Sequence, residues 1–264
     1  MLTAYGITDK GRVRPTNEDC FAIHEELGLC VVADGMGGHN AGEVAARLAV
    51  DAVVEHVRQA RLRSQSSASC GDAGESEWPF GFDPELSADG NLLRTAILLA
   101  NVQIREAAIT SPLDYAGMGT TIVAARVVDG RLSVAHVGDS RLYVVAGGTL
   151  QQVTRDDSWM ASMLAHDPAA DPLLLEHHPM RNALTNVVGA RSRTEVHVAE
   201  QMFAAGSLLL LTTDGVHGVL DERRIAGLLL EEDEPRAIAR GVIAAALTRG
   251  SRDNCTAVVA RYLS

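Results

Sequence analysis

The sequence predicts an α+β fold built on antiparallel β-sheets. Short apolar, β-rich segments follow one another in the middle of the chain, whereas segments with helical periodicity are few and grouped. A parallel α/β fold would instead alternate strand and helix along the whole chain. The length of 264 residues allows one large domain, and because 47% of the residues are hydrophobic but only 4% are aromatic, an aliphatic core is expected.

The first part of the chain predicts a buried strand and two helices. Residues 28–33 (GLCVVA) form a short apolar run typical of a buried strand. Apolar side chains recur at helical spacing over 41–62 and again over about 91–109. Residues 63–90 between these helices are rich in Ser, Gly and Pro, and we interpret them as a surface insertion within one domain.

The middle of the chain predicts a β-meander. Asp129-Gly130 separates two strand-like segments by two residues, which is the sequence signal of a tight hairpin. The next strand, 141–146, is followed by Gly147-Gly148, a second turn signal. Successive hairpins of this kind give neighbouring antiparallel strands.

The C-terminal half is predicted to contain an irregular region, two strands and a helix. Residues 155–195 show no regular period and contain three prolines. The apolar run 207–213 and the segment 255–263 are strand-like. Pro235 at a first helical position and Gly250 at a C-terminal cap bracket a helix.

The charge balance excludes several classes of partner. The chain has 34 acidic and 23 basic side chains, a formal net charge of −11, so neither nucleic acid nor an anionic membrane surface is an expected partner. Neither a secretory signal nor an apolar run of about 20 residues is visible, and we expect a cytoplasmic protein. Cys20, Cys30, Cys70 and Cys255 lack C-x-x-C spacing, which predicts free thiols in a reducing compartment.

Four aspartates share a setting at the ends of predicted buried strands. Asp34, Asp139 and Asp214 each follow such a strand, and Asp253 precedes one. Any one of them, taken alone, is explained equally well as a turn residue. Together they predict a cluster of carboxylates, because strand ends are rigid positions from which side chains can converge.

Converging carboxylates indicate a site for hard metal ions. Their negative charges repel one another, so the group stays ionised only when cations lie between its members. Ligand sets made only of oxygen favour Mg²⁺ or Mn²⁺. Two such ions about 3.5–4 Å apart can hold a phosphoryl group and activate a bridging water for in-line attack. Metal ions would thus turn an acidic pocket into an anion-binding one.

Six segments carry recognisable motifs in a fixed order along the chain. They are RPTNED (14–19), VADGMGGHNAGEVA (32–45), GTT (119–121), VGDSRLY (137–143), LLTTDGVHGVL (210–220) and SRDNCTAVV (251–259). Together they resemble the bacterial branch of the metal-dependent, type 2C serine/threonine protein phosphatases. The resemblance covers nearly the whole chain, so it implies one catalytic domain over 1–264. It also implies a sandwich of two antiparallel β-sheets flanked by α-helices.

The resemblance implies a role for five residues at two metal ions. Asp34 matches the carboxylate that bridges both ions, and the carbonyl group of Gly35 matches a ligand of the second. Asp214 and Asp253 match ligands of the first ion. Glu18 is expected to approach the second ion, directly or through water.

Four further positions are implied by the same resemblance. Asp139 matches the position tied to a third, weaker metal ion in bacterial members. Arg14 matches the arginine that binds the substrate phosphate, for which a planar guanidinium group is suited. Asp19 is expected to support Glu18 from outside, and Asn254 either to order the metal-binding loop or to form a simple turn.

The sequence departs from the family pattern at two places. Met36 stands where some members have a histidine proposed to protonate the leaving serine oxygen, and His39 or a metal-bound water are the alternative acids. The mobile flap of the family corresponds here to about 155–185, whose centre is acidic and proline-rich, so substrate preference cannot be transferred. For His177 and His178 we favour loop packing or solvent exposure over metal binding.

The expected activity is hydrolysis of phosphoserine and phosphothreonine in proteins, by direct attack of a water or hydroxide that bridges two Mg²⁺ or Mn²⁺ ions. We expect no cysteine nucleophile of the Cys-x5-Arg type. A monomer that acts on substrates of a separate bacterial Ser/Thr kinase is the natural expectation. Two alternatives stay open: a catalytically weak phosphoprotein-binding module on the same fold, and a small-molecule phosphomonoesterase.

Overall fold

Two antiparallel β-sheets pack face to face, and α-helices cover the outer face of each sheet. These coordinates are a computed structural model that describes residues 1–38, 41–66, 78–167 and 169–263. The α+β fold class with antiparallel sheets is therefore confirmed, and so is the sandwich that the family resemblance implies.

The strands form two sheets of different strand order. In chain order they are β1 (Leu2–Asp9), β2 (Asp19–His24), β3 (Leu29–Met36), β4 (Gly119–Thr120), β5 (Ile122–Val128), β6 (Arg131–Val137), β7 (Arg141–Ala146), β8 (Thr149–Gln152), β9 (His197–Met202), β10 (Leu208–Thr212) and β11 (Cys255–Tyr262). One sheet has the order β1-β11-β10-β7-β8. The other has the order β2-β3-β5-β6-β9, with the short β4 paired to β3.

The helices divide between the two outer faces. They are α1 (Ala41–Ser66), α2 (Ala88–Thr110), α3 (Pro112–Tyr115), α4 (Trp159–His166), α5 (Pro172–Glu176), α6 (Asp214–His217), α7 (Glu222–Glu231) and α8 (Pro235–Thr248). The long helices α1 and α2 pack on the sheet that contains β3, and α7 and α8 pack on the sheet that contains β10. Of the helices in the described ranges, none is long and apolar enough to cross a membrane.

Strand periodicity explains the layered core. Successive side chains of a strand point to opposite faces of its sheet. Val31 therefore belongs to the cluster under α1 and α2, whereas Val32 belongs to the cluster between the sheets. Leu210 likewise faces α7 and α8, and Leu209 faces the sandwich interior. Both sheets are buried on two faces, which explains why their central strands read as continuous apolar runs.

The predicted turns and the C-terminal helix are confirmed, but the predicted β-meander is wrong, because β5 and β6 belong to one sheet and β7 and β8 to the other. Asp129 (φ 48°) and Gly130 (φ 74°) connect the paired β5 and β6, and positive φ at both residues is the requirement of a type I′ hairpin turn. Gly147 (φ 57°) and Gly148 (φ 79°) do the same between β7 and β8. Helix α8 begins at Pro235, and the chain leaves it near Gly250.

Several predicted boundaries shift in the structure. Strand β3 runs on to Met36, so Asp34 and Gly35 lie inside it and not after it. Residues 63–66 complete α1 and 88–90 begin α2, while 67–77 of the predicted insertion lie outside the described residues.

The prediction that 155–195 is irregular is wrong in part, because the region contains the short helices α4 and α5. Local capping accounts for both. The Ser158 hydroxyl accepts a hydrogen bond from the backbone of Ala161, and Asp171 caps α5 just before Pro172.

Candidate active site

All seven site residues predicted from the sequence line one cavity of about 360 Å³. The β1–β2 loop, the end of β3, the β6–β7 loop, the start of α6 and the segment before β11 each contribute to it. These residues are Arg14, Glu18, Asp34, Gly35, Asp139, Asp214 and Asp253. The expected convergence of carboxylates from separate strand ends is therefore observed.

Asp34 is held by the strand pairing around it. Its backbone N–H donates to the Thr121 hydroxyl at 3.2 Å, and its carbonyl accepts from the Thr121 N–H at 2.9 Å and the Thr120 hydroxyl at 2.8 Å. Desolvation raises the pKa of the Asp34 carboxyl well above its ordinary value, and the charges of Asp19 and Asp214 raise it further. This carboxylate is thus rigidly placed where negative charge is costly.

Three other carboxylates in the cavity, Glu18 among them, have a raised pKa, and desolvation is the largest cause for each. Desolvation, followed by repulsion from Asp253, raises the pKa of Asp214 to about 6. Desolvation and then the charge of Asp214 raise the pKa of Asp139 to about 7. Such mutual repulsion favours a bound cation, which would restore the ionised forms.

The donor atoms fit Mg²⁺ or Mn²⁺. The cavity offers carboxylate and carbonyl oxygens, and Oδ1 of Asp214 is a buried oxygen without a hydrogen-bond partner among the described residues. Oxygen ligands are those that hard divalent cations prefer. Within the described ranges, no group of three His, Cys, Asp or Glu side chains is already arranged to hold an ion as it stands. The fit therefore rests on the donor chemistry and on the orphaned oxygen.

Asp19 lies behind the cavity and joins both sheets. Its Oδ2 accepts hydrogen bonds from the hydroxyls of Thr213 (2.9 Å) and Thr256 (2.6 Å), which lie beside β10 and in β11. Its partner across the β2–β3 ladder is Asp34. Desolvation raises the pKa of Asp19 to about 7, although the two hydroxyl groups oppose the rise. These hydrogen bonds connect Asp19 to β11 and to the residue after β10, and the support of Glu18 expected from the sequence stays a prediction.

Asn254 connects the segment before β11 to the β1–β2 loop. Its side-chain NH₂ group donates to the carbonyls of Lys10 and Thr16, both at 2.9 Å, and its Oδ1 accepts from the backbone N–H of Glu18 at 2.8 Å. All three of these hydrogen bonds are made with the β1–β2 loop. Of the two readings of Asn254 left open above, loop ordering is the one these contacts support.

Arg14 contacts a carboxylate at the cavity edge. Its Nη2 donates to Oδ2 of Asp253 at 2.6 Å, and the Arg14 side chain is 52% exposed. That hydrogen bond raises the pKa of the guanidinium group. The positive charge expected for phosphate binding thus lies at the rim of the cavity, open to solvent on one side.

Two glycines permit the close approach of backbones at the site. A Cβ atom at Gly35 would lie 2.0 Å from the carbonyl oxygen of Gly42, and one at Gly215 would lie 1.9 Å from that of Asn254. Any other residue would force these segments apart. Gly215 and Gly42 were not singled out from the sequence, although both occur inside the quoted motifs.

The flap (residues 155–185) closes one side of the cavity. Its residues Asn182, Ala183 and Leu184 line the cavity, and no sequence signal distinguished them. The His178 ring stacks on Trp159 with centroids 4.2 Å apart, which agrees with the packing role favoured for this histidine. His177 is exposed and contacts the carbonyl of Leu173. Met36 lines the cavity, and His39 lies outside the described residues.

One cysteine of the chain does have an arginine at the Cys-x5-Arg spacing. Cys255 and Arg261 have this spacing, but both lie on the extended strand β11 and not on a phosphate-binding loop. Arg261 is at the far end, where it contacts Asp233 and the carbonyl of Gly206. Desolvation raises the pKa of the Cys255 thiol, so this pair provides no activated nucleophile. The other thiols in the described residues, Cys20 and Cys30, are also free.

Comparison with known proteins identifies relatives over the whole chain. Residues 12–237 match the family model of protein phosphatase 2C. Serine/threonine phosphatase stp of Listeria welshimeri is 32% identical over 255 residues, which cover 96% of this chain and 92% of the Listeria protein.

Solved structures agree with the sequence relatives. The crystal structure of the Mycobacterium tuberculosis serine/threonine phosphatase PstP/Ppp is similar with a TM-score of 0.81 and 30% identity, covering 100% of this chain and 99% of that one. A structure of the PstP catalytic domain in complex with two manganese ions has a TM-score of 0.78 and 29% identity, with coverage of 100% and 99%.

Proposed function

Because the chain belongs to the protein phosphatase 2C family, we propose that the acidic cavity is the active site of its protein serine/threonine phosphatase activity. The observation that carries this assignment is the convergence of five carboxylates and one arginine on a single cavity. The activity depends on Mg²⁺ or Mn²⁺, as the relatives and the structure with two manganese ions indicate.

The proposed metal ligands are the oxygens that line the cavity. Asp34 would bridge two ions, Asp214 and Asp253 would hold one of them, and Glu18 with the Gly35 carbonyl would hold the other. Asp139 is proposed for a third, weaker ion. When bound, the ions act as Lewis acids that polarise the phosphoryl group and lower the pKa of the attacking water. The orphaned Oδ1 of Asp214 supports this assignment.

The protein's own side chains bind and orient the substrate. Arg14 would bind the phosphate oxygens with its planar guanidinium group, in exchange for its present contact with Asp253. Thr121 holds the backbone of Asp34, and Asn254 holds the loop of Arg14 and Glu18 next to Asp253. This preorganisation keeps the charged groups in place while the reaction proceeds.

The proposed reaction is direct hydrolysis without a phosphoenzyme. The water oxygen bonds to phosphorus while the ester P–O bond breaks. Of the two protons of the water, one is gained overall by the leaving serine or threonine oxygen and the other stays with the inorganic phosphate. Met36 has no proton to give, so the proton reaches the leaving oxygen from another donor. Among the described residues that line the cavity none is a cysteine, and desolvation raises the pKa of the Cys255 thiol.

The test is hydrolysis of p-nitrophenyl phosphate and of a phosphoserine peptide with Mn²⁺. We expect turnover that is lost with EDTA and in Asp214→Ala. Activity that survives EDTA, or that Asp214→Ala leaves unaffected, would contradict the proposal. A protein that binds the phosphopeptide without turnover in any divalent metal would instead be the binding module considered above.

Substrates of a phosphatase of this family are phosphorylated proteins. We further propose a monomer in the cytoplasm that acts on the products of a separate bacterial Ser/Thr kinase. The net charge of −11 supports the exclusion of nucleic acid as a partner. Light scattering on the purified protein tests the monomer, and faster turnover of small phosphorylated metabolites than of phosphopeptides would contradict the substrate class.

A further inference from the structure

Asp157 forms two hydrogen bonds with the backbone of Gly138, in the loop that carries Asp139. Its backbone N–H donates to the carbonyl of Gly138 at 3.0 Å, and its Oδ2 accepts from the Gly138 N–H at 2.9 Å. Gly138 has φ 95°, and a Cβ atom there would lie 2.6 Å from the side chain of Thr121. The loop is therefore clamped between Thr121 on one side and Asp157 on the other.

The same aspartate reaches the far end of the flap. Its Oδ2 also accepts from the side-chain NH₂ of Asn186 at 2.8 Å, and its carbonyl accepts from the Thr185 N–H at 2.8 Å. Asn182 to Leu184, which line the cavity, directly precede Thr185. Asp157 itself lies near the beginning of the flap, so one residue ties together both ends of this segment.

His197 fixes the carboxylate to the sheet. This histidine lies on β9, and its Nε2 is 2.9 Å from Oδ1 of Asp157. The side chain of Asp157 is only 13% exposed. The neighbouring ring of His136, paired with His197 across the β6–β9 ladder, has its centroid 5.1 Å away. Through its contact with His197, Asp157 thus connects the flap and the Asp139 loop to strand β9 of the sheet.

The electrostatics agree with a charged carboxylate at this junction. Desolvation raises the pKa of Asp157, but its hydrogen bonds from His197, Gly138 and Asn186 outweigh that effect, and the net shift is downward. The other charged groups that act on His197 are Glu195, which raises its pKa, and Arg155, which lowers it. An ionised acceptor makes stronger hydrogen bonds than a neutral one, which suits a residue that holds several segments.

We propose that Asp157 is a positioning residue of the phosphatase reaction, which holds the Asp139 loop and the cavity-lining end of the flap in their places relative to the active site. It acts through the residues it holds and touches neither substrate nor metal ion. The inference rests on the proposed function of the cavity. When residues that orient the groups around a metal site are replaced, metal affinity or activity typically falls about 10- to 100-fold.

The test compares Asp157→Ala with a matched control, Glu200→Ala. Glu200 lies on β9, like His197, and its carboxylate accepts three hydrogen bonds, two from Ser87 and one from Ser133. It does not line the cavity. For each variant, hydrogen exchange of 137–140 and 181–187 is measured without metal, followed by Mn²⁺ affinity by calorimetry and by kcat and KM on a phosphoserine peptide.

For Asp157→Ala we expect faster exchange in both segments, weaker Mn²⁺ binding and a fall in kcat/KM of about 10- to 100-fold. Glu200→Ala should lower the melting temperature but leave these readouts as in the unmodified protein. Asp157→Asn, which keeps the shape and one acceptor oxygen, should recover part of the loss. Equal behaviour of Asp157→Ala and Glu200→Ala in exchange, Mn²⁺ binding and kcat/KM would overturn the proposal.

A second pair of variants covers the case in which Asp157→Ala does not fold. Asn186→Ala and His197→Ala each remove one of the contacts, and each should give a smaller change in the same readouts. Unchanged exchange and activity in both would also overturn the proposal. Failure of the proposed function is distinguishable, because it would be seen as a lack of metal-dependent turnover in the unmodified protein.

Discussion

Arg14 and Asp253 are 239 positions apart in the sequence, yet Nη2 of the arginine lies 2.6 Å from Oδ2 of the aspartate. The pair joins the proposed phosphate-binding side chain to a proposed metal ligand at the rim of one cavity. Both side chains are partly exposed, at 52% and 33%, so solvent screens their attraction. A phosphate group that enters the cavity can therefore compete with Asp253 for the guanidinium group.

Replacement of Arg14 should affect catalysis far more than stability. For Arg14→Ala we expect kcat/KM on a phosphoserine peptide to fall about 100-fold, because a charged donor to the phosphate is lost. Arg14→Lys should recover only part of this, since an ammonium group lacks the planar fork. The free energy of unfolding should change by less than about 1 kcal/mol, because the ion pair is exposed. Arg12→Ala, an exposed arginine two residues away, is the control, and an equal loss of activity in both variants would refute the role of Arg14.

Asp214→Asn should have opposite effects on stability with and without metal. In EDTA, the substitution removes one of several repelling carboxylates, so the melting temperature should stay the same or rise. With Mn²⁺, the unmodified protein should gain stability through binding, and the variant should gain much less. Thermal unfolding across a Mn²⁺ titration measures both effects. Asp221→Asn keeps its role as the cap of α7 and should respond to Mn²⁺ like the unmodified protein. A full Mn²⁺ response in Asp214→Asn would contradict its assignment as a ligand.

Gly35→Ala should disrupt the site through a steric clash between the new methyl group and the backbone of α1. The added methyl group would meet the carbonyl oxygen of Gly42 at 2.0 Å, so β3 and the start of α1 must separate. We expect a loss of about 1–3 kcal/mol in the free energy of unfolding together with loss of activity. Gly38→Ala is the matched control, because no described residue apart from its chain neighbours lies within 4 Å of a Cβ atom at Gly38. Equal stability of the two variants in urea unfolding would show that the close approach is not required.

The Asp157–His197 pair should contribute stability in a defined pH window. The pKa of His197 is raised chiefly by its hydrogen bond to Asp157, so its contribution is complete below the ordinary value of about 6.5 and is lost as the pH rises through the folded-state pKa. The pKa of Asp157 is lowered, so its contribution is present above about 3.8 and is lost as the pH falls through the folded-state pKa. The difference in unfolding free energy between the unmodified protein and His197→Gln should therefore be largest between about pH 4 and 6.5.

Urea unfolding from pH 4 to 9 measures this difference. His177→Gln, which replaces an exposed histidine in contact with a backbone carbonyl, serves as the control for a change of residue type. A difference between the unmodified protein and His197→Gln that is constant with pH would rule out the charged pair.

Much of the fold and of the candidate site follows from short-range patterns. The Asp129-Gly130 turn needs two residues that accept positive φ, and the helix α8 needs a proline and a glycine at its ends. The four aspartates were identifiable because each stands at one end of a strand-like run, whereas Glu18 was identified only by the family resemblance. Local signals of this kind can be recognised in the sequence, because the physical constraint acts between residues only a few positions apart.

Other features depend on contacts between distant segments. Asp157 carries no pattern that sets it apart from Asp156, and its partners Gly138, Asn186 and His197 come from three separate parts of the chain. The flap residue Asn182 likewise lines the cavity because of the path that the folded flap takes, and no local sequence pattern predicts that path.

The sequence by itself determined the α+β class with antiparallel sheets, the acidic cluster and the kind of ion that such oxygens bind, and the sandwich was implied by the family resemblance of its motifs. Only the tertiary structure decided that Arg14 pairs with Asp253, that Asn254 anchors the β1–β2 loop, and that Asp157 ties the flap to the Asp139 loop. The reason is physical: a strand or a turn is selected by neighbouring residues, whereas a hydrogen bond between remote segments exists only after the whole core has packed and set their distance.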